Sequence, residues 1–151
     1  MIRLASNEDR SVIREMAAKL ATSSVVTEEG FNSSFEKILR LPHMCLLVAE
    51  TEGGIIGYAL GSYYPCFYAS SNVAWTAELF VESDRRKEGV GRLLMEGIEN
   101  WAIQNNCSLN TLATRRAGQF YEALTYDETA GYYKKSLEVE QGGAAKTDPQ
   151  A

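Results

Sequence analysis

Apolar positions along the chain follow two rhythms, one of period two and one near 3.6, and the order in which they change lays out a fold. Ile2 to Ala5 reads as a short strand. Ser6 and Asp9 then stand at the spacing of a capping box, and Ile13, Met16, Ala17 and Leu20 fall on one face of a helix. Polar residues at Thr22 to Ser24 and Thr27 to Glu29 break that pattern before Phe31, Phe35, Ile38 and Leu39 predict a second helix. Met44 to Ala49 is a compact apolar run, and Thr51-Glu52-Gly53-Gly54 supplies turn chemistry before Ile55 to Tyr63, which together predict a β-hairpin. Pro65 and the Ser70-Ser71-Asn72 cluster mark a loop, and Val73 to Val81, rich in β-branched and aromatic residues, extends the hairpin into an antiparallel meander.

From there the rhythm changes. Val90, Leu93, Leu94, Ile98, Trp101 and Ala102 recur at helical spacing and predict a long amphipathic helix ending near Asn105-Asn106. Leu109 to Ala113 reads as a strand, Ala117, Phe120, Tyr121 and Leu124 as a short helical face, and Tyr132-Tyr133 to Leu137 as a last strand. Glu138 to Ala151 has a Gly-Gly pair, a proline and no apolar period, and is expected to be a disordered tail. The order β-α-α-β-β-β-α-β-α-β predicts an α+β domain over residues 1–137. Its sheet is mixed and mainly antiparallel, flanked by helices, because a strand-helix-strand crossover favours one parallel pair.

Composition narrows the function. The 151 residues are 45% hydrophobic, enough for one domain with a core of its own, and the net charge of −5 without a long basic run argues against nucleic acid as a partner. Cys45, Cys66 and Cys107 are odd in number and widely spaced, so they read as reduced thiols with neither a disulfide framework nor a metal site. No segment has the length of a membrane span or a signal sequence, so a soluble, cytoplasmic protein is expected.

The candidate chemistry lies between Val81 and the long helix, in the run RRKEGVGRLL from Arg85 to Leu94. Two glycines between a strand and a helix let successive backbone N–H groups turn toward one point, where the helix start adds partial positive charge, so the run reads as an anion cradle. It is not a P-loop, because Gly91 is followed by Arg92-Leu93 rather than Lys and Ser or Thr. It also lacks the third small residue of a dinucleotide fingerprint, since Leu94 stands there.

What remains, Arg86-Lys87-Glu88-Gly89-Val90-Gly91, resembles the pyrophosphate loop of the GCN5-related N-acetyltransferase (GNAT) family: Arg or Gln, two residues, Gly, one residue, then Gly or Ala. Downstream, Arg116-Ala117 through Phe120-Tyr121-Glu122-Ala123-Leu124 is similar to the same family's helix end, with Thr125-Tyr126 replacing its usual Gly-Phe and Thr114 standing where an Asn often lies. The resemblance covers Ile2 to Leu137 in element order. It implies acetyl-CoA as cosubstrate, its pyrophosphate held by the loop of Arg86, Lys87, Glu88, Gly89, Val90, Gly91 and Arg92. The pantetheine arm would lie along the backbone of Phe80 and Val81. The activity implied is acetyl transfer to a primary amine, of a small molecule or of a protein, by direct attack on the thioester. A non-catalytic acyl-CoA sensor or interaction module is the alternative.

Glu78, a lone carboxylate in an apolar strand, is the candidate general base, with a solvent-facing strand residue as the competing reading. Burial would raise its pKa toward a useful range. Tyr121 is the candidate acid for the CoA thiolate, which the resemblance implies, although it shares the apolar face of Phe120 and Leu124 as a core tyrosine would. Tyr63, Tyr64, Phe67 and Tyr68 form an aromatic loop expected to hold an alkylammonium group, to make a homodimer contact, or simply to pack. His43 reads as a strand-entry residue and Cys107 as a small buried hydrophobe.

Overall fold

Polar pairing at the start of the chain sets the first element boundary. The computed structural model describes residues 1–137, and the tail expected over 138–151 lies outside the described residues. After strand β1 (Ile2–Leu4), the Ser6 N–H donates to the Asp9 carboxylate at 2.8 Å and the Asp9 N–H donates to the Ser6 carbonyl at 3.0 Å, winding a turn that continues into helix α1 (Arg10–Leu20). Asp9 is buried, and the Arg3 guanidinium meets it with two bonds of 2.9 and 3.0 Å while reaching Glu50 at 2.8 Å. The Arg3 bonds hold the Asp9 carboxyl below its ordinary value. Helix α2 (Glu28–Arg40) starts at Thr27, whose Oγ1 accepts from the Gly30 N–H, and its acidic first turn and basic last turn match the helix dipole.

Strands β2 (Met44–Thr51), β3 (Gly54–Cys66), β4 (Ser71–Val81) and β5 (Cys107–Leu112) complete a five-stranded sheet in sequence order. Every pair is antiparallel except β4 with β5, which are joined through helix α3 (Val90–Gln104). The strand alternation sends Leu46, Val48, Tyr58, Leu60 and Phe80 toward Ile13, Met16 and Phe35 of α1 and α2, and sends Cys45, Leu47, Ala49 and Ala59 toward Leu94 and Ile98 of α3. Helix α3 lies close because two glycines permit it: a Cβ on Gly97 would stand 2.7 Å from Leu47, and one on Gly61 would stand 3.1 Å from Ile98. The buried stripe of α3 includes Met95, while Leu93, expected inside, is 49% exposed.

The mixed α+β architecture agrees with the sequence pattern, and two departures have clear causes. Pro65, expected in a loop, lies inside β3. The Tyr63 N–H donates to the His43 carbonyl, so Pro65, two residues on, turns its missing N–H toward the same side, where β2 has already ended and no ladder bond is lost. The second departure is in β4. Leu60 pairs with Glu78 and Gly61 with Thr76, leaving Ala77 as a bulge, and β5 pairs with β4 only as far as Thr76.

The described chain divides into two compact parts, Met1–Ala113 and one that begins at Thr114. In the second, the Thr114 Oγ1 accepts from the Ala117 N–H at 3.0 Å ahead of helix α4 (Gly118–Ala123). That helix ends in a Schellman motif, with Tyr126 N–H to the Tyr121 carbonyl at 3.0 Å and Thr125 N–H to the Glu122 carbonyl at 2.9 Å. Thr125 therefore takes the left-handed position, at φ +69°, where glycine is normally favoured. The last strand expected at Tyr132 to Leu137 is not formed, and residues 131–137 have no regular secondary structure. Their tyrosines fit a strand in composition, but a strand persists only where it pairs, and this segment joins no ladder.

Two outcomes are expected. Asp9→Ala should lower stability to urea at pH 7 by about 1–3 kcal/mol, because it removes both the capping box and the Arg3 bonds. The folded pKa lies below the ordinary 3.8, so the stabilisation is complete above pH ~4 and is lost as pH falls through the folded value. A gap between parent and variant as large at pH 2 as at pH 7 would contradict this account. Thr125→Gly should slow amide hydrogen exchange at positions 125 and 126 by about twofold to fivefold by relieving the left-handed threonine. Faster exchange there would show that the threonine is not strained.

Candidate active site

The bulge at Ala77 changes what the backbone of β4 faces. The Glu82 N–H donates to the Ile56 carbonyl at 2.9 Å, so in the antiparallel ladder Glu78, Phe80 and Glu82 direct their peptide groups toward β3. Leu79 and Val81 direct theirs toward the opposite side, where β5 no longer runs and no ladder covers the edge among the described residues. Of the two residues expected to offer backbone to a pantetheine arm, Val81 is therefore placed to do so. Phe80 directs its peptide groups toward β3, and Leu79, which the sequence reading did not single out, directs its own toward the uncovered side.

The same strand runs directly into the glycine loop. Arg86 turns back so that its Nε donates to the Val81 carbonyl at 3.0 Å, with its guanidinium 5.9 Å from the Phe80 ring centre. Glu88 is tied to Arg85 at 2.9 Å. Lys87 and Gly89 both take positive φ, +66° and +86°, and Gly89 caps α3, leaving open space where a Cβ would stand. The Leu93 N–H donates to the Gly89 carbonyl, so the N–H groups of Val90, Gly91 and Arg92 in the first turn have no helical acceptor. Arg86, Lys87 and Arg92 are exposed around these donors. The loop is a concentration of free N–H groups and positive charge at the end of the uncovered β4 edge.

Three residues before Val81, roughly 10 Å back along the strand, Glu78 lies on the α1/α2 face of the sheet. Its Oε1 accepts a 2.6 Å hydrogen bond from the hydroxyl of Tyr58, a fully buried residue on β3. Burial, with the Glu78 charge beside it, holds the Tyr58 hydroxyl far above its ordinary pKa and fixes it as the donor. Tyr58 and Glu78 form the polar end of a cavity of about 540 Å³ bounded by α1, α2 and the 21–27 segment, with Leu46 and Leu60 in its floor. Among the described residues, Glu78 is the only charged side chain lining it. The sequence carried no signal for Tyr58, because its pairing with the bulged strand appears only in the register.

Tyr63, Tyr64, Phe67 and Tyr68 are not brought to this cavity. Tyr63 packs on the α3 face, its ring 5.4 Å from Trp101 and 6.5 Å from His43. Tyr64, Phe67 and Tyr68 are exposed around the β3–β4 turn, at the far end of β4 from the glycine loop. Tyr121 lies in α4, its ring 4.9 Å from Phe120 and 5.8 Å from Tyr126, and burial raises its pKa. Burial also pushes the Cys45 thiol up to about 12, which removes it as a nucleophile. Among the described residues, no three His, Cys, Asp or Glu side chains gather as a metal site requires, and no helix is long and apolar enough to cross a membrane.

Comparison with curated protein sequences finds no match. Solved structures do match the fold. A glucosamine-6-phosphate N-acetyltransferase from Arabidopsis thaliana superposes with a TM-score of 0.80 at 21% identity, covering 91% of this chain and 98% of that one. The aminoglycoside N-acetyltransferase AAC(6')-Iy, in complex with CoA, gives 0.79 at 23% identity, covering 91% and 95%. A transcriptional regulator from Bacillus halodurans gives 0.80 at 22%, covering 91% and 99%. At such identities the likeness is one of fold. The sequence itself matches the model of the acetyltransferase (GNAT) domain over residues 42–128, from the start of the hairpin past the glycine loop and α4. That match spans more than half of the chain, and the chain belongs to the GNAT acetyltransferase family.

Proposed function

We propose that the protein transfers the acetyl group of acetyl-CoA to a primary amine by direct attack on the thioester. The observation that carries this reading is the layout of β4. One strand presents Glu78 to a cavity, then offers the uncovered peptide groups of Leu79 and Val81, then delivers the chain into the glycine loop. The loop N–H groups from Lys87 to Arg92 suit the pyrophosphate. The open edge suits the peptide-like pantetheine arm, which would pair there as an added strand. A thioester at the end of that arm would come to the break in the sheet beside Glu78.

The acceptor would enter the α1/α2 cavity as an ammonium ion and lose a proton to Glu78, directly or through water, before its nitrogen attacks the thioester carbon. The Tyr58 bond fixes one carboxylate oxygen and leaves the other to the amine. Collapse of the tetrahedral intermediate breaks the C–S bond and expels the CoA thiolate. Tyr121, whose phenol is protonated at neutral pH, is the proposed donor of its proton, the role that the family resemblance implies for it. The CoA complex of AAC(6')-Iy and the acetyltransferase name of the Arabidopsis thaliana neighbour support the choice of cosubstrate.

Replacing both Gly89 and Gly91 with valine should weaken acetyl-CoA binding at least tenfold by calorimetry, since valine at φ +86° is strained and its side chain crowds the donors. Unchanged affinity would remove the loop from the site. Turnover should rise with pH through the neutral range as the amine deprotonates. Glu78→Gln should lower it by about 10²-fold or more, most at the low end. Parent rates and an unchanged pH profile in Glu78→Gln would end the base assignment, and acetyl-CoA binding without turnover on any amine would favour a non-catalytic acyl-CoA binder.

A further inference from the structure

The cavity at Glu78 says more about the acceptor than that it carries an amine. Its deep surface is hydrocarbon: Phe35, Leu46 and Leu60 are buried there, and Phe31 lies with its ring 5.5 Å from that of Phe35. The polar side chains are Glu78, Tyr58, Thr27, Ser24 and Ser34, and the two serines are exposed, away from that deep surface. The Tyr58 hydroxyl is spent on Glu78, and the Thr27 Oγ1 accepts from the Gly30 N–H. Among the described residues, no lysine or arginine lines the cavity, and Glu78 is its single carboxylate.

On the basis of the acetyl transfer proposed above, we infer that the acceptor is a monoamine on a hydrocarbon body, a straight or aryl-substituted alkylamine whose apolar part fills the α1/α2 cavity with its nitrogen at Glu78. One half-buried carboxylate compensates one ammonium. A second ammonium, as in a polyamine, would be desolvated without a partner. A sugar pushed to the deep surface would bury hydroxyls against Phe35, Leu46 and Leu60, which cannot bond them, and a phosphate would find no cation among the described lining residues. The acceptors named for the two acetyltransferase neighbours, a phosphorylated amino sugar and an aminoglycoside, are therefore of the kind this lining excludes. A volume of about 540 Å³ is ample for a small amine with an extended or aromatic body.

Two measurements on the full chain test this. Calorimetry in the presence of CoA compares hexylamine and 2-phenylethylamine with spermidine and glucosamine 6-phosphate, and CoA release from acetyl-CoA gives kcat/KM for butylamine, pentylamine and hexylamine. The alkyl and aryl amines should bind at least tenfold tighter than the polar pair, and kcat/KM should rise about threefold to fourfold per methylene. Val25→Glu adds a carboxylate at the exposed mouth of the cavity, where Val25 is 88% exposed, and should favour hexamethylenediamine over hexylamine in kcat/KM at least threefold more than the parent does. Equal or tighter binding of spermidine or the sugar phosphate, no binding by any amine, or a flat methylene series would overturn the inference. Failure of acetyl-CoA to bind would instead defeat the acetyl-transfer reading. Turnover of polar amines with acetyl-CoA bound would leave that reading standing and defeat only the hydrocarbon acceptor.

Discussion

Backbone hydrogen bonding along β4 loses one of its two partners at Ala77. Up to Thr76 the strand is held on both sides, and beyond the bulge only β3 remains. Peptide groups on an uncovered edge need other partners, which for a soluble domain is an exposure usually blunted by charge or covered. Here the edge is short, it ends in a loop of free N–H groups, and the residue that follows the bulge is the carboxylate that lines the cavity. The site depends on that placement, because the bulge opens the edge and also restores Glu78 to the α1/α2 face.

The rest of the sheet keeps this break in position. Gly61 and Gly97 let α3 press close behind β2 and β3, so the first turn of α3, with its unpaired donors, is fixed to the end of β4 rather than carried on a loose connection. On the other face, Tyr58 stacks on Phe80 with ring centres 6.3 Å apart and bonds Glu78 at its far end. A single buried side chain thereby links the packing of the core to the orientation of the carboxylate. Arg86, folded back on the Val81 carbonyl, occupies part of the open edge in this structure, and its exposed side chain is free to turn toward an anionic ligand.

Features set by neighbouring residues were legible in the sequence. The hairpin turn at Glu52-Gly53, the capping box at Ser6 and Asp9, the amphipathic run of α3 and the glycine loop all follow from spacing within a few positions. Features set by pairing between distant segments were not. Tyr58 meets Glu78 only through the β3–β4 register, and the bulge that fixes this register leaves no mark in the letters around Ala77. Pro65 looked like the end of a strand because its tolerance depends on where β2 stops, and Tyr132 to Leu137 looked like a strand because composition cannot show whether an edge is available. The aromatic run from Tyr63 to Tyr68 was conspicuous in composition, yet the cavity beside Glu78 is built from ordinary helix residues such as Phe31, Phe35 and Ile38. Glu78 could be singled out, but not its surroundings.

The claim that the open edge of β4 and the glycine loop together form one acetyl-CoA site is tested most directly by residue-resolved amide hydrogen exchange with and without acetyl-CoA. Added acetyl-CoA should slow exchange at Leu79 and Val81, whose peptide groups face the open edge, and at Gly89, Val90 and Gly91 in the loop, while Phe80, already bonded to β3, changes little beyond the global effect of binding. Binding without protection at Leu79 and Val81, or protection of the loop alone, would contradict the account.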